Sequence, residues 1–324
     1  MTDPVTTNVR WGVLGVAKIA MGAFVPGIAG AANADLVALA SRDTAKAADA
    51  AAKAGIGKSY GSYDELLADP DIDAIYNPMP NHLHAEWSIK ALEAGKHVLC
   101  EKPLAMSAQE AEEMAAVSQR TGRLLMEAFM YRFHPQWRLV GDLIADGRIG
   151  TVRAVRSSFH YPPNQKTNVR YVPEYGGGGL LDVGCYCVDS ARLIFGADPV
   201  SAHGRLEIDP DTGVDILAAG LLEFPIGYAV FTTGIEQDLD QQVHVTGTTG
   251  NLSIPRAFNP WTDRPSHVVL RRPNGDETFE VPVTNQFTLE IEAFSAAILS
   301  GASEPPIPLR NAIANMKTLD ALRA

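Results

Sequence analysis

From residue 9 to residue 127 the chain repeats one pattern: a short apolar run, a turn, then a stretch of helical period. Val9–Leu14 is nearly all apolar, the pattern of a strand covered on both faces. Further strands are expected at residues 36–40, 72–77, 97–100 and 123–127, with helices at 44–54, 63–67, 80–94 and 108–121. Gly95 stands where a glycine ends a helix in the left-handed conformation. Strands alternating with helices require right-handed crossovers, so this half of the chain is expected to form a parallel, doubly wound α/β sheet.

The full length of 324 residues is too long for this unit alone and suggests two domains. A net charge of −11 argues against broad nucleic-acid binding or attraction to an anionic membrane, while leaving room for a local basic pocket that holds a phosphate. Three cysteines, Cys100, Cys185 and Cys187, are too few for a disulfide framework and suit a reducing compartment. No apolar run approaches the roughly 20 residues that span a bilayer, and residues 1–8 are polar, without the apolar stretch of a secretory signal. A cytoplasmic protein is expected.

The turn after the first strand carries the first chemical signal. Gly12, Gly15 and Ala17 depart from the usual Gly-x-Gly-x-x-Gly/Ala spacing, yet they lie between the first strand and the first helix. There, backbone N–H groups and a helix N-terminus can face a pyrophosphate. The end of the second strand discriminates between dinucleotides. An acid there binds a ribose 2′-hydroxyl and repels a 2′-phosphate; this chain has Ser41 and Arg42, a hydroxyl and a guanidinium suited to phosphate. NADP is therefore expected over NAD. Asp43 would take the acid's role if the strand ended one residue later.

The second half begins with an expected strand at residues 152–160 and a polar loop at 161–172 that contains Arg170. The glycine run 176–179 can bring backbone close to a ligand, but no Gly-Lys-Ser/Thr follows to make it a phosphate loop. A helix is expected over 181–195, placing Asp182, Tyr186 and Asp189 on one face at i, i+4 and i+7. Alternating runs near 202–208, 218–224, 229–233, 242–246, 251–254 and 267–271 predict a large antiparallel sheet, followed by helices at 287–300 and 309–322. His82 and His84, two residues apart, do not share a helix face as a metal pair would. Cys185 and Cys187 form no Cys-x-x-Cys motif and read as packing residues, as do Trp137 and Trp261.

Three segments together resemble the glucose–fructose oxidoreductase/inositol dehydrogenase/rhizopine-catabolism (GFO/IDH/MocA) family. They are Ala94-Gly95-Lys96-His97-Val98-Leu99-Cys100-Glu101-Lys102-Pro103-Leu104-Ala105, the run Met126 to Pro135, and the run Gly177 to Tyr186. The Ser41-Arg42 pair and Tyr186, where many members carry histidine, make it most similar to the branch of NADP-dependent aldose dehydrogenases, glucose–fructose-type oxidoreductases and dimeric dihydrodiol dehydrogenases. The resemblance implies an N-terminal Rossmann domain at residues 1–127. It also implies a C-terminal α+β substrate domain at 128–324, with a large, mostly antiparallel open sheet that often mediates dimerisation, so a homodimer or higher homo-oligomer is expected. The last helix is expected to pack back near the first domain. The implied cofactor-binding residues are Gly12, Gly15, Val16, Ala17, Lys18, Ile19, Ser41, Arg42, Asn77, Pro78, Asn81, His84, Glu101, Lys102 and Arg132. The implied substrate residues are Lys102, Arg170, Asp182 and Tyr186, with no metal. His84 is placed near the cofactor or substrate entrance, and the Lys102–Pro103 bond is expected to be cis.

The residues themselves support Lys102: a lysine at the carboxyl end of a buried parallel strand sits where open α/β sheets bind ligands. It can hold a substrate hydroxyl as the oxygen becomes more anionic. Glu101 either orients the lysine or contacts the nicotinamide side. Tyrosine is a poor base at its ordinary pKa of about 10, but a neighbouring ammonium favours the phenolate. Lys102 and Tyr186 thus form a coherent acid–base pair, either of which can carry the proton. Asp182 orients Lys102 or binds a sugar hydroxyl. The function expected is hydride transfer between NADP and a sugar, foremost oxidation of an aldose at C1 to its lactone, including a cycle in which tightly held cofactor is reoxidised by a second sugar. The alternatives are ketoreduction of a nucleotide-linked deoxysugar, trans-dihydrodiol oxidation, a glycosidase that uses the cofactor as a transient hydride carrier, and, in a different class, a non-catalytic NADP-binding sensor.

Overall fold

The computed structural model describes residues 8–324. Strands β1 (Val9–Leu14), β2 (Ala34–Ala40), β3 (Lys58–Tyr60), β4 (Ala74–Asn77), β5 (His97–Glu101) and β6 (Leu125–Ala128) form a parallel sheet in the order β3-β2-β1-β4-β5-β6. Helices α1 (Val25–Ala29), α2 (Thr44–Ala54), α3 (Tyr63–Ala68), α4 (His84–Glu93) and α5 (Ala108–Thr121) make the crossovers. Every residue of β4 and β6 is buried, Asn77 and Glu127 included, as expected for strands covered on both faces. Local chemistry sets the helix ends. Asp43 caps α2 and Ser107 caps α5, each accepting a backbone N–H from the first turn, and Gly55 and Gly122 close them in the left-handed conformation. The sheet order reverses direction between β1 and β4, the place where open α/β sheets form a ligand crevice.

The second sheet runs β14-β13-β12-β11-β7-β10-β9-β8. Its strands are β7 (Val152–His160), β8 (Ser201–Ile208), β9 (Asp215–Phe224), β10 (Gly227–Gly234), β11 (Val243–Gly247), β12 (Asn251–Ile254), β13 (Ser266–Arg272) and β14 (Gly275–Val281). The β7–β10 pair is parallel; the other neighbours are antiparallel. Helices α6 (Pro135–Ala145) and α7 (Cys185–Phe195) belong with it, and α8 (Gln286–Leu299) and α9 (Leu309–Arg323) end the chain.

The chain divides into two compact units. One runs through Met130 and takes in Asn285–Ile313; the other comprises Tyr131–Thr284 and Ala314–Ala324. The return of α8 to the first unit has a clear physical basis. The Trp11 indole N–H donates to Ser295 Oγ at 3.2 Å, and Trp11 packs on Phe24 and Phe294. Thr288 Oγ1 donates to the Gly27 carbonyl at 2.7 Å, and a Cβ at Gly27 would lie 2.8 Å from Phe287, so only glycine lets the two helices approach this closely. A large buried tryptophan on β1 requires an apolar cover, and a segment distant in sequence supplies it.

Three local features differ from the sequence pattern. β3 has three residues with no apolar run to announce it. α6 starts at Pro135 after His134, whose side chain accepts the Gln136 N–H. The helices expected after Gly15 and after Gly179 both begin with a π-helical turn, Ala20–Phe24 and Leu180–Gly184. A π turn holds more residues per turn than an α turn, so Asp182 is displaced from the simple i, i+4, i+7 stripe with Tyr186 and Asp189.

Candidate active site

The carboxyl ends of the parallel strands gather the first set of candidate groups on one edge of the sheet. Gly15 follows β1 directly, with φ +93° and its N–H donating to the Ala40 carbonyl at 2.8 Å. A side chain there would be strained. Gly12 serves a different purpose: its missing Cβ would lie 3.1–3.3 Å from methyl groups of Leu66, Ile75 and Ile72, so it lets apolar side chains close over β1. Val16 and Ala17 are half-buried and Lys18 and Ile19 exposed as the turn enters its helical segment.

β2 ends at Ala40, which settles the role of Asp43. Its carboxylate accepts the Lys46 N–H at 3.0 Å as the cap of α2. Ser41 is buried and its hydroxyl accepts the Asp43 N–H at 3.3 Å, while Arg42 is exposed at the strand's end. A dinucleotide laid across the β1 turn would meet a guanidinium here, not an uncommitted carboxylate. The residues present fit a ribose bearing a 2′-phosphate.

Asn77 and His84 turn inward. Asn77, wholly buried, donates to the His84 carbonyl (3.2 Å) and Ser88 Oγ (3.0 Å), and accepts the Met79 N–H (3.3 Å), fastening β4 to α4 across Pro78. Asn81 is half-buried in the turn that opens α4. His84 does not stand at an entrance. It is wholly buried, with Nδ1 2.8 Å from the Pro103 carbonyl and Nε2 2.7 Å from the Met79 carbonyl. Burial pushes its pKa down to about 4, and the nearby Lys102 charge acts the same way.

These inward contacts converge on one segment. The Lys102–Pro103 bond is cis. Tyr76 O–H donates to Glu101 Oε1 at 2.5 Å, and the Tyr76 ring stacks on Phe24 at 3.9 Å. Glu101 Oε2 accepts the Lys102 N–H at 3.3 Å. His84 Nδ1 lies against the Pro103 carbonyl, and the buried Glu127 carboxylate accepts the Leu104 N–H at 2.8 Å. Residues 101–104 are thus gripped by β4, α4 and β6, and the half-buried Lys102 stands on a rigid base. Glu127, Tyr76 and Glu290 escaped sequence reasoning. Glu290 of α8 is wholly buried, and burial, together with the Glu101 charge, raises its pKa well above the carboxylate range.

The second unit gathers the remaining candidates around α7 and the π turn before it. Asp182 Oδ2 accepts both Tyr161 O–H and Arg170 Nε, each at 2.6 Å. Tyr186 is 4 % exposed, its ring flanked by Tyr131, Phe159 and Phe258 at centroid distances of 5.7, 5.3 and 5.3 Å. Arg132 is committed within this unit: its guanidinium grips Asp189 in a two-point contact of 2.8 and 2.6 Å, and Tyr131 O–H donates to the same carboxylate. The glycine run 176–179 brings backbone close to the chain itself. A Cβ at Gly177 would lie 2.5 Å from the Arg170 carbonyl and one at Gly178 2.0 Å from Asp215 Oδ1. Asp215 Oδ2 accepts the Leu180 N–H at 2.6 Å, so a carboxylate fills the position a phosphate would take at this helical N-terminus.

A parallel sheet with a glycine turn, a phosphate-compatible strand end and a buttressed lysine defines a dinucleotide-dependent oxidoreductase. Residues 9–129 match the oxidoreductase family with NAD-binding Rossmann fold, and residues 137–253 match the GFO/IDH/MocA C-terminal domain. The chain belongs to the GFO/IDH/MocA oxidoreductase family and is an enzyme of that class. It is 42 % identical over 323 residues to an uncharacterised oxidoreductase of Rhizobium meliloti, covering 97 % of this chain and 96 % of the relative. It is 36 % identical over 317 residues to a D-xylose 1-dehydrogenase (NADP+) of Haloferax volcanii, covering 96 % and 95 %. Among solved structures, a 3-ketoreductase from Actinomadura kijaniata in complex with NADP and TDP-benzene superposes with a TM-score of 0.92 at 36 % identity, covering 98 % of this chain and 97 % of that one. Structures of the same ketoreductase include a tyrosine-to-phenylalanine variant and variants with a lysine replaced by alanine or glutamate. Among the described residues no helix is long and apolar enough to cross a membrane.

Proposed function

We propose that this chain is an NADP-dependent sugar oxidoreductase that oxidises an aldose at C1 to its lactone. The observation that carries the reading is the grip on residues 101–104, which holds a lysine at the ligand-binding edge of the sheet. The cofactor assignment rests on Arg42 at the end of β2 with Asp43 committed to capping α2, and is supported by the NADP named for the xylose dehydrogenase and the ketoreductase.

A bound nicotinamide would supply the hydride acceptor for C1. The Lys102 ammonium donates a hydrogen bond to the C1 oxygen and stabilises its growing negative charge. Tyr186, as its phenolate, receives the hydroxyl proton and, as the phenol, returns it in reduction. Asp182 and Arg170 bind sugar hydroxyls. That the related ketoreductase has been solved with a tyrosine and a lysine altered supports giving these two residue types the chemistry.

The test is purified enzyme incubated with NADP and a panel of aldoses, followed at 340 nm. Aldose-dependent NADPH formation is expected, and no reduction by any aldose overturns the aldose reading. Y186F should lower kcat by roughly 10²-fold or more while NADP binding is retained; unchanged turnover rejects the role of Tyr186. The similarity to the TDP-benzene-bound ketoreductase favours a second reading, ketoreduction of a nucleotide-linked deoxysugar, which would show as a strict requirement for the nucleotide.

We also propose a homodimer through the open sheet, in the cytoplasm. Leu221 and Val230 are cross-strand partners on β9 and β10 and are 40 % and 43 % exposed, with Tyr228 at 53 %, an apolar surface suited to a second copy. Light scattering at the mass of one chain would remove the dimer.

A further inference from the structure

Tyr161, absent from every sequence signal, sits at the end of β7 and is fixed on both sides. Its N–H donates to the Gly234 carbonyl and its carbonyl accepts the Gln237 N–H, each at 3.2 Å. Its ring packs on the cluster of Tyr171, Val214 and Ile235. The phenol has little freedom, and it points at Asp182 Oδ2, the oxygen that also takes Arg170 Nε. Burial and the Asp182 charge raise the Tyr161 pKa, so the phenol remains a donor throughout the neutral range. The two hydrogen bonds, from Tyr161 and Arg170, hold that one carboxylate oxygen in place.

Every cation nearby is met by a carboxylate. Of the cations on the loop at 161–172, Arg170 is matched by Asp182 and Lys166 by Asp209 and Glu236. Such a surface offers hydrogen-bond donors and acceptors without excess positive charge, which suits a neutral polyol better than a diphosphate.

We propose that Tyr161 is a positioning residue for substrate recognition: by locking the Asp182–Arg170 pair it lets Asp182 accept a hydrogen bond from a hydroxyl of an uncharged sugar. This rests on the reading that Asp182 binds substrate. Because the phenol acts through Asp182 and not on the reacting carbon, its loss weakens sugar binding and leaves the chemical step intact.

The test is steady-state kinetics of Y161F, D182N and the double variant with NADP and the best aldose of the panel. Y161F removes one oxygen and keeps the packed ring. Its KM for sugar should rise about tenfold, the loss of a charge-assisted hydrogen bond, with kcat within about twofold and the KM for NADP unchanged. The double variant should be no worse than D182N, because Tyr161 has nothing left to position. An unchanged sugar KM in folded Y161F, a fall in kcat alone, or additive losses in the double variant overturns the proposal; so does a lowered melting temperature with KM unmoved, which marks a purely structural tyrosine. If Y161F does not fold, Y161H, which keeps a ring N–H donor, is put through the same cycle with the same criteria. A wild-type enzyme inactive on every aldose overturns the underlying reading together with this one. An active wild type with raised KM in D182N but not in Y161F overturns this one alone.

Discussion

Two glycine-rich turns precede helical segments in this molecule, and they do opposite things. At Gly15 the turn leaves β1 with a positive φ, and the nearest atom to an added Cβ is the Tyr63 hydroxyl at 3.7 Å, an ordinary contact. At Gly177 and Gly178 the added Cβ would collide with the Arg170 carbonyl and the Asp215 carboxylate. The first turn leaves room at the sheet edge where dinucleotides bind; the second is closed by the chain's own anion, bonded to the Leu180 N–H. A glycine run therefore reports only that backbone must come close to something. What lies opposite decides whether that something is a ligand.

Substitution at the two turns separates these roles, and the largest effect belongs to the closed one. Gly178→Ala forces a methyl group into Asp215 Oδ1 at a φ of +105°, where an L side chain is already strained. It should cost about 3–4 kcal/mol of stability, measured by urea unfolding. Gly15→Ala meets no such obstacle and should cost about 1–2 kcal/mol from its conformation alone. Its larger consequence should be weaker NADP binding, read by quenching of protein fluorescence. Equal stability losses at the two positions would dissolve the contrast.

Asp215 offers a second, smaller test. Burial raises its carboxyl to about 6, against an ordinary 3.8, even though backbone N–H groups of Leu180 and Gly179 favour the charged form. The folded state thus holds this proton more tightly than the unfolded chain. The resulting stability is fully present below pH 3.8 and is lost as the pH rises through 6, by about 2–3 kcal/mol. In Asp215→Asn that slope should vanish, so the wild type should lose stability relative to the variant between pH 4 and 6. Parallel curves over that window would show that Asp215 ionises as an exposed aspartate does. Glu290→Gln should stabilise the first unit in the same direction towards alkaline pH, because the wild-type acid is held neutral by burial and by Glu101.

Elements whose signals are local were legible from the sequence. β1, α2 and α5 announce themselves by an apolar run or by helical period. The family segments singled out Lys102, Asp182 and Tyr186 as candidates because each lies inside a distinctive run. What stayed hidden depends on distant pairing. α8 covers Trp11 from the far end of the chain, Glu127 and His84 act on backbone atoms of residues 103 and 104, and Tyr161 is one aromatic residue at the end of a strand. No spacing rule exposes such partners, since their role depends on which segments the fold brings side by side. The Arg132–Asp189 pair makes the same point: their contact joins α7 to a segment more than fifty residues earlier.

The open turn yields the most selective of these tests, at Arg42. The guanidinium is exposed at the end of β2, so removing it should leave stability within about 0.5 kcal/mol. If it holds a 2′-phosphate, Arg42→Ala should weaken NADP about tenfold, near 1.4 kcal/mol, while NAD, which lacks that phosphate, binds unchanged. The same substitution should flatten the dependence of NADP affinity on salt, because one screened charge pair is gone. Arg42→Asp goes further: it places an acid beside Ser41 where a ribose hydroxyl could use it, and should turn the preference towards NAD. Equal losses for both dinucleotides would mean that Arg42 shapes the turn, and that selectivity lies with the β1 glycine and its neighbours.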